Sequence, residues 1–476
     1  MRKKIFIGIL LIIILIPIVN LNTEENQVST IDNRTLTDLF PEDTTSQKQN
    51  LDFHLMSMQF EDYLSDRIGF REEMLGIYGN GYNSIFGVLK HPSYEYGKEK
   101  EVFYSYAAEP ADKEFVDNFN NFMGTVQRYL EVRGIDFVFA ANPSKNDIYP
   151  EKLPDSVHTS YGNMEYLRTL LPNNFFTSID NVEYLQNVDA QERIFDEQYD
   201  VGHWTDYGAI LGISNMIEPM REKHPNIGSI SFEEYQKEKI VQEYLPNSKI
   251  KINQEITKYH SKNPQHVNPK EYQAALKNEL KLHPTHSTLR IDQNPNNPDA
   301  PSLLIFRGSF MNGKEDFYTD DFSEVIGIHN YENIFDIDYY LNLFKPDIVL
   351  FEVAASAFNE GYFNPNAFWS VHFNPKYENL SGLSEVEASQ ELLDQIKVNI
   401  QKKDILTDIA IQYPEQYNYL YLEASERIHD THPSNIGNGI LSTYCSVYND
   451  TFKDVKLILV EEKDKTKTII PLDKLL

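Results

Sequence analysis

The succession of residues 113–133, Gly134 and residues 135–141 constrains this chain most. From Lys113 onward, Phe115, Phe119, Phe122, Met123, Val126, Tyr129 and Leu130 recur at three- and four-residue spacing, which puts them on one face of a helix. Gly134 ends it. The run that follows, Ile135-Asp136-Phe137-Val138-Phe139-Ala140-Ala141, is almost continuously apolar, as a strand covered on both faces must be. Helix, glycine and buried strand predict an α/β unit on a parallel sheet. Strands at 302–306, 322–328 and 346–353, with a helix at 334–343, continue the pattern to about residue 375.

Other stretches fit less directly. Arg2, Lys3 and Lys4 precede an apolar run from Ile5 to Val19, the make-up of an export segment. No small-x-small cleavage site follows, so an uncleaved N-terminal anchor is expected, with a cleaved signal as the alternative. Residues 22–50 read as a polar tether, and 51–86 as helical with a turn at Asp66-Arg67-Ile68-Gly69-Phe70-Arg71. Asp66, Arg67 and Arg71 are expected in surface or interdomain ion pairs, and 94–104 in a short hairpin. Residues 228–300 read as an insertion or lid followed by a loop, 385–403 as helix, and 417–472 as short strands of a β-rich unit. The expected divisions are 1–21, 22–110, 111–375 and 376–476.

The formal charge of -29 excludes nucleic acid as a partner and broad adhesion to anionic lipid, because both need a basic surface. Cys445 is the one cysteine, so no internal disulfide forms, and it reads as core filler. No Walker or dinucleotide glycine motif is present. The pairs His283/His286 and His429/His432 lack the company of a zinc site and read as solvated loop residues; no metal or cofactor is expected.

Two stretches carry chemistry. In Asp200-Val201-Gly202-His203-Trp204-Thr205, a carboxylate and an imidazole precede a helix that Thr205 caps. In Leu303-Leu304-Ile305-Phe306-Arg307-Gly308-Ser309-Phe310, an apolar strand ends on a serine. Asp, His and Ser together make an acyl-transfer catalyst: the base takes the serine proton and the carboxylate orients the base. Gly308 lets the backbone approach substrate, and Gly308 and Ser309 are the expected oxyanion donors. The serine lacks the G-x-S-x-G elbow, which argues against an α/β-hydrolase. Lys145 and Tyr149 follow a strand's C-terminal end, where ligands sit in open α/β sheets; with Trp204 and Asn312 they are the expected substrate contacts. Each residue also has a plain structural reading: turn, cap, or packed histidine.

The ordered motifs resemble the alginate O-acetyltransferase-like (DHHW) branch of the SGNH hydrolases. The segment Glu61 to Arg71 is similar to that family's helical N-terminal segment. The stretch from Gly134 through Pro143-Ser144-Lys145 to Tyr149-Pro150-Glu151 is similar to its first strand and loop, and Gly202-His203-Trp204-Thr205 to its His-Trp signature. Arg307-Gly308-Ser309-Phe310 is similar to its nucleophile turn, and Lys345 to Val349 to its late strand; the whole spans about residues 52–360. The sequence departs twice. The family's Asp stands two residues before the His, where Val201 lies here, and Arg-Gly-Ser replaces a turn in which an acidic residue or Thr often precedes the Ser.

The resemblance implies an SGNH-hydrolase-like sheet with flanking helices, behind an N-terminal membrane anchor and ahead of a small β-rich domain. It implies an extracytoplasmic O-acyltransferase or esterase, acting on acetyl or similar groups of a surface polysaccharide. Ser309, His203 and Asp200 form the triad, and a membrane-bound O-acyltransferase is the implied working partner. The competing expectations are a catalytically inactive polysaccharide-binding or assembly protein on the same fold, and an adhesion scaffold.

Overall fold

The computed structural model describes residues 2–24, 28–29, 34–38, 53–91, 93–105, 110–154, 161–246, 248–284 and 287–476. Most of the expected tether and His286 lie outside the described residues.

A six-stranded sheet forms the centre. Its strands in chain order are β1 (Asp136–Asn142), β2 (Thr177–Asp180), β3 (Thr288–Gln293), β4 (Ser302–Arg307), β5 (Glu324–His329) and β6 (Ile348–Ala354). The spatial order is β2-β1-β6-β4-β5-β3. All neighbours are parallel except the edge strand β3, which runs antiparallel to β5. Period-two alternation sends Phe137, Phe139, Leu304 and Phe306 to one apolar layer, and Val138, Ala140, Leu303 and Ile305 to the other. Both faces are covered, as the near-continuous apolar strands require.

The helices follow their patterns. Helices α1 (Arg2–Val19), α2 (Phe53–Arg67), α3 (Arg71–Phe86), α4 (Lys113–Glu131) and α5 (Asp206–Lys223) are the long ones. Helix α4 starts at Asp112, whose carboxylate accepts the Phe115 N–H at 3.0 Å, and it buries Phe115, Phe119, Phe122, Met123, Val126 and Leu130 on the sheet. Helix α5 covers the opposite face with Ile210, Ile213, Met216, Ile217 and Met220.

The N-terminal expectations change. Among the described residues, no helix is long and apolar enough to cross a membrane. Helix α1 has 18 residues and carries Pro17. At 1.5 Å rise per residue it reaches about 27 Å, short of the ~30 Å of hydrocarbon. The expected spanning anchor is therefore not supported. Asp66 and Arg67 are buried instead of lying at the surface. Arg67 donates to Thr37 O at 2.8 Å and pairs with Asp38, while Asp66 accepts from the Thr37 N–H at 3.0 Å.

Residues 228–300 are more ordered than a lid and loop. Strands Tyr235–Tyr244 and Lys251–Ser261 pair as a hairpin, followed by helix Lys270–Glu279 and the edge strand β3. Tyr235 and Tyr259 of the hairpin pack into the core layer of α5. Residues 385–403 are not one helix: strand Ser384–Val386, helix Gln390–Gln395 and strand Lys397–Lys402 share them. They enter a β-rich C-terminal region of one five-stranded and one four-stranded sheet, whose inner faces share one core. This region leans on the α/β unit through apolar contacts of Leu406, Tyr444 and Tyr448 and through polar ones. Glu279 accepts the N–H of Leu406 at 2.7 Å, and Arg133 pairs with Asp430 at 2.8 Å. His432 sits between Asp338 at 2.6 Å and Asp336 at 3.4 Å. His432 is thus packed at this junction, His429 is buried, and His283 pairs with Glu332 at 2.8 Å, so none of the three is a solvated loop residue.

Candidate active site

Two loops at the C-terminal side of the sheet meet. The first leads into α5. Thr205 caps the helix, its Oγ1 accepting the Gly208 N–H at 3.0 Å and donating to Arg193 O at 2.7 Å. Just before the cap, Val201 and Trp204 are buried, and Asp200 and His203 are left half-exposed on the other side. Val201 fills a small apolar cluster with Leu89, Val102, Leu245 and Ile250. Both Asp200 carboxylate oxygens lie 3.0 Å from His203 Nδ1, and the Gly202 N–H donates to Asp200 at 3.2 Å. Burial raises the Asp200 carboxyl, but the hydrogen bond and charge of His203, the Gly202 N–H and Lys314 outweigh it and hold its pKa below the ordinary value. An ionised carboxylate only accepts, so Nδ1 carries the imidazole proton and Nε2 presents its lone pair.

The second loop is the turn after β4. Ser309 is exposed between buried Gly308 and buried Phe310. Its Oγ lies 3.2 Å from His203 Nε2. Residues some hundred positions apart are thus joined as Asp200–His203–Ser309. The Trp204 and Phe310 rings pack against each other, tilted by 45° with centroids 4.5 Å apart, which ties the two loops together.

Four expected contacts sit differently. The Gly308 N–H is not open to an oxyanion, because it donates to Glu352 Oε1 at 3.1 Å. Trp204 is 2 % exposed and packs against Gly212, so it props the site without facing substrate. Lys145, expected at substrate, is buried: it pairs with Glu101 at 3.2 Å and donates to Val102 O at 2.9 Å. Burial lowers its pKa to about 8 despite Glu101. Tyr149 accepts the Ile194 N–H at 3.0 Å and lies under the Arg193 guanidinium, bracing the loop before Asp200. Asn312 is exposed, one turn beyond Ser309.

Three residues were missed. Glu352 is a charge inside the apolar strand β6, a signal visible in the sequence as Leu350-Phe351-Glu352-Val353. Besides Gly308 it holds Asn142 Nδ2 at 2.6 Å. Burial pushes its carboxyl up to about 7, against the Gly308 hydrogen bond and the Arg307 charge. Arg307, 3 % exposed, pairs with Glu315 at 2.7 Å and donates to Asn312 Oδ1 at 2.7 Å. Lys314 pairs with Asp206 beneath Asp200, and Lys258 reaches the same carboxylate at 3.2 Å. Nothing in their local spacing marks Arg307 or Lys314; only the folded turn does.

Among the described residues, no group of His, Cys, Asp and Glu is arranged to hold a metal ion. A cavity of about 610 Å³ lies between the 192–198 loop and the hairpin, lined by Arg193, Asp196, Gln254 and Glu255 among others, but by none of Asp200, His203 and Ser309. Burial and the Asp200 charge raise the Asp196 carboxyl there to about 6.

Residues 97–292 match the family model described as SGNH hydrolase-like domain, acetyltransferase AlgX; the match takes in Asp200 and His203 and ends before Ser309. The SGNH-hydrolase-like kinship read from the motifs therefore holds. No curated protein matches the chain. Similar solved structures include PatB1 of Bacillus cereus with a sulfonyl adduct, at 17% identity over 57% of this chain and 96% of that one, TM-score 0.44. They also include a DHHW family protein of Eubacterium siraeum (13% identity, 59% and 96%, TM-score 0.42). A third is the O-acetyltransferase domain of Pseudomonas putida AlgJ (14% identity, 59% and 99%, TM-score 0.41). No functional argument rests on likenesses of this degree.

Proposed function

We propose that this protein is an extracytoplasmic O-acyltransferase or esterase that moves acetyl or similar groups on a surface polysaccharide, through an acyl-serine. The carrying observation is the hydrogen-bonded series of His203 Nδ1 to Asp200 at 3.0 Å and His203 Nε2 to Ser309 at 3.2 Å. In this reading His203 takes the Ser309 proton as Oγ attacks the acyl carbonyl carbon. The C–O bond to the donor alcohol breaks, and His203 returns the proton to that alcohol. A sugar hydroxyl, or water, then gives its proton to His203 and takes the acyl group from Ser309, which recovers its proton. Asp200 orients the ring and stabilises the imidazolium. The acceptor alone separates transferase from esterase.

Residues 111–375 serve as the catalytic unit and 376–476 as an accessory region. The basic, apolar N-terminal segment serves in export, and a membrane-bound acyltransferase supplies the acyl group. The test is turnover of 4-nitrophenyl acetate, with and without an oligosaccharide acceptor. Ser309→Ala and His203→Ala are each expected to lower kcat by about 10⁴ or more. Wild-type turnover in Ser309→Ala would refute Ser309 as the nucleophile, and no turnover by the wild-type protein would favour the inactive binding protein.

A further inference from the structure

The stretch that carries Asp200 and His203 is held on both sides by one element. The hairpin of strands Tyr235–Tyr244 and Lys251–Ser261 lies outside the six-stranded sheet, yet it touches the chain before, within and after residues 200–205. Before the stretch, Gln254 Oε1 accepts the N–H groups of Gln198 at 2.7 Å and Tyr199 at 2.8 Å. Within it, Val201 packs with Leu245 and Ile250 of the hairpin turn. After it, the Tyr259 N–H donates to Asp206 at 3.0 Å, in the first turn of α5. We propose that this hairpin is a positioning element of the active site, and that Gln254 is the positioning residue that sets Asp200 against His203. The proposal rests on the Asp200–His203–Ser309 reading.

The amide of Gln254 can sit only one way round. A backbone N–H donates and never accepts, so the atom that meets two of them is the carbonyl oxygen, with both lone pairs taken. The NH₂ group is thereby turned toward Asp196 and donates to its Oδ1 at 3.0 Å. One planar amide thus ties residues 196, 198 and 199 and leaves the chain little freedom on its way into Asp200. From the other side, Glu197 O accepts from the Val102 N–H at 2.8 Å and from Lys145 Nζ at 2.7 Å, so the loop is pinned between the hairpin and the body of the α/β unit. Strand alternation brings the hairpin's other contact into line. Gln254, Ile256 and Lys258 share one face of their strand; Ile256 is buried, and Lys258 lies 3.2 Å from Asp206. The three-residue spacing of Asp200 and His203 belongs with this hairpin, because Val201 between them fills the apolar pocket that its turn supplies.

A double-mutant cycle separates this role from a merely structural one. Gln254→Met keeps the length of the side chain and removes all three hydrogen bonds. A misplacement of about 1 Å at a catalytic group lowers rates by up to about 10²-fold, so on 4-nitrophenyl acetate kcat should fall by about 10–10². KM should stay near wild type, since Gln254 lines a cavity that none of the three triad residues lines. In an Asp200→Ala background the same substitution should change kcat by less than about twofold, because a residue that acts through Asp200 has nothing left to position. Should Gln254→Met not fold, Gln254→Glu is measured in the same two backgrounds. It sets a carboxylate against Asp196, and its loss should likewise appear only where Asp200 is present. Wild-type kcat in the Gln254 variant, or an equal loss in both backgrounds, would overturn the role of Gln254 and leave the triad standing. Wild-type kcat in Asp200→Ala or in Ser309→Ala would overturn the triad reading on which it rests.

Discussion

Asp200 and His203 stand three residues apart because the chain has an apolar debt between them. Val201 turns inward against Leu89, Val102, Leu245 and Ile250, and Trp204 turns inward against Phe310. The two polar side chains are left facing the same way, and the carboxylate reaches Nδ1 with both oxygens. A spacing that departs from the family pattern thus still brings the pair together. Asp200→Asn should lower kcat by about 10³–10⁴ with little change in KM, because the amide no longer fixes the tautomer. Steady-state kinetics at neutral pH check this, and a loss under tenfold would mean that another group orients His203. Asp200 and His203 were legible because they lie close in sequence, whereas Glu352, Arg307 and Lys314 act across strands and turns. Trp204 and Lys145 misled for the opposite reason. Proximity to the motif suggested substrate, but an indole and an alkyl stem beside a core are first of all packing material.

At the scale of elements, the site depends on two ends: the capped start of α5 and the exit of β4. Both were legible, the first from Thr205 and the apolar period behind it, the second from the unbroken apolar run into Ser309. The demand on Gly308 was not. A Cβ there would stand 2.1 Å from the Tyr331 ring, and Tyr331 is 3 % exposed with no room to retreat. Gly308→Ala should cost about 1–3 kcal/mol by overpacking and displace Ser309 from His203. Thermal unfolding beside turnover checks both; an unaltered enzyme would mean that the turn is looser than this packing implies. The hairpin within 228–300 was missed because its faces are largely polar, which hides the period of two; the edge strand was missed although Leu289 and Ile291 alternate into the core, because the strand is short. Residues 385–403 misled because a short helix lies between two short strands and blurs both periods.

Across the whole molecule, the parallel sheet and the β-rich end were readable from apolar patterning, but their junction was not, since it joins scattered residues distant in sequence: ion pairs beside Leu406 and Tyr444 packed on the α/β core. His432 is its clearest member. Burial opposes its charge, but Asp338 and Asp336 outweigh burial and raise its pKa from 6.5 to about 10. A raised folded-state value means the contribution to stability is complete below pH 6.5 and is lost as pH rises through about 10. The stability difference between wild type and His432→Gln should therefore be largest near pH 6 and shrink steadily toward pH 10. Urea unfolding across that range checks it, and a pH-independent difference would mean that the charge is not held. The same junction holds the C-terminal region on the α/β unit.

The proposed chemistry stands on Ser309 being a nucleophile activated by His203. Reaction with a serine-directed fluorophosphonate, followed by peptide mass mapping, tests it most directly. The expected result is a single covalent adduct on Ser309 in the wild-type protein and none in folded His203→Ala. A wild-type protein that takes no label at Ser309, or a His203→Ala protein that labels as fast, would contradict it.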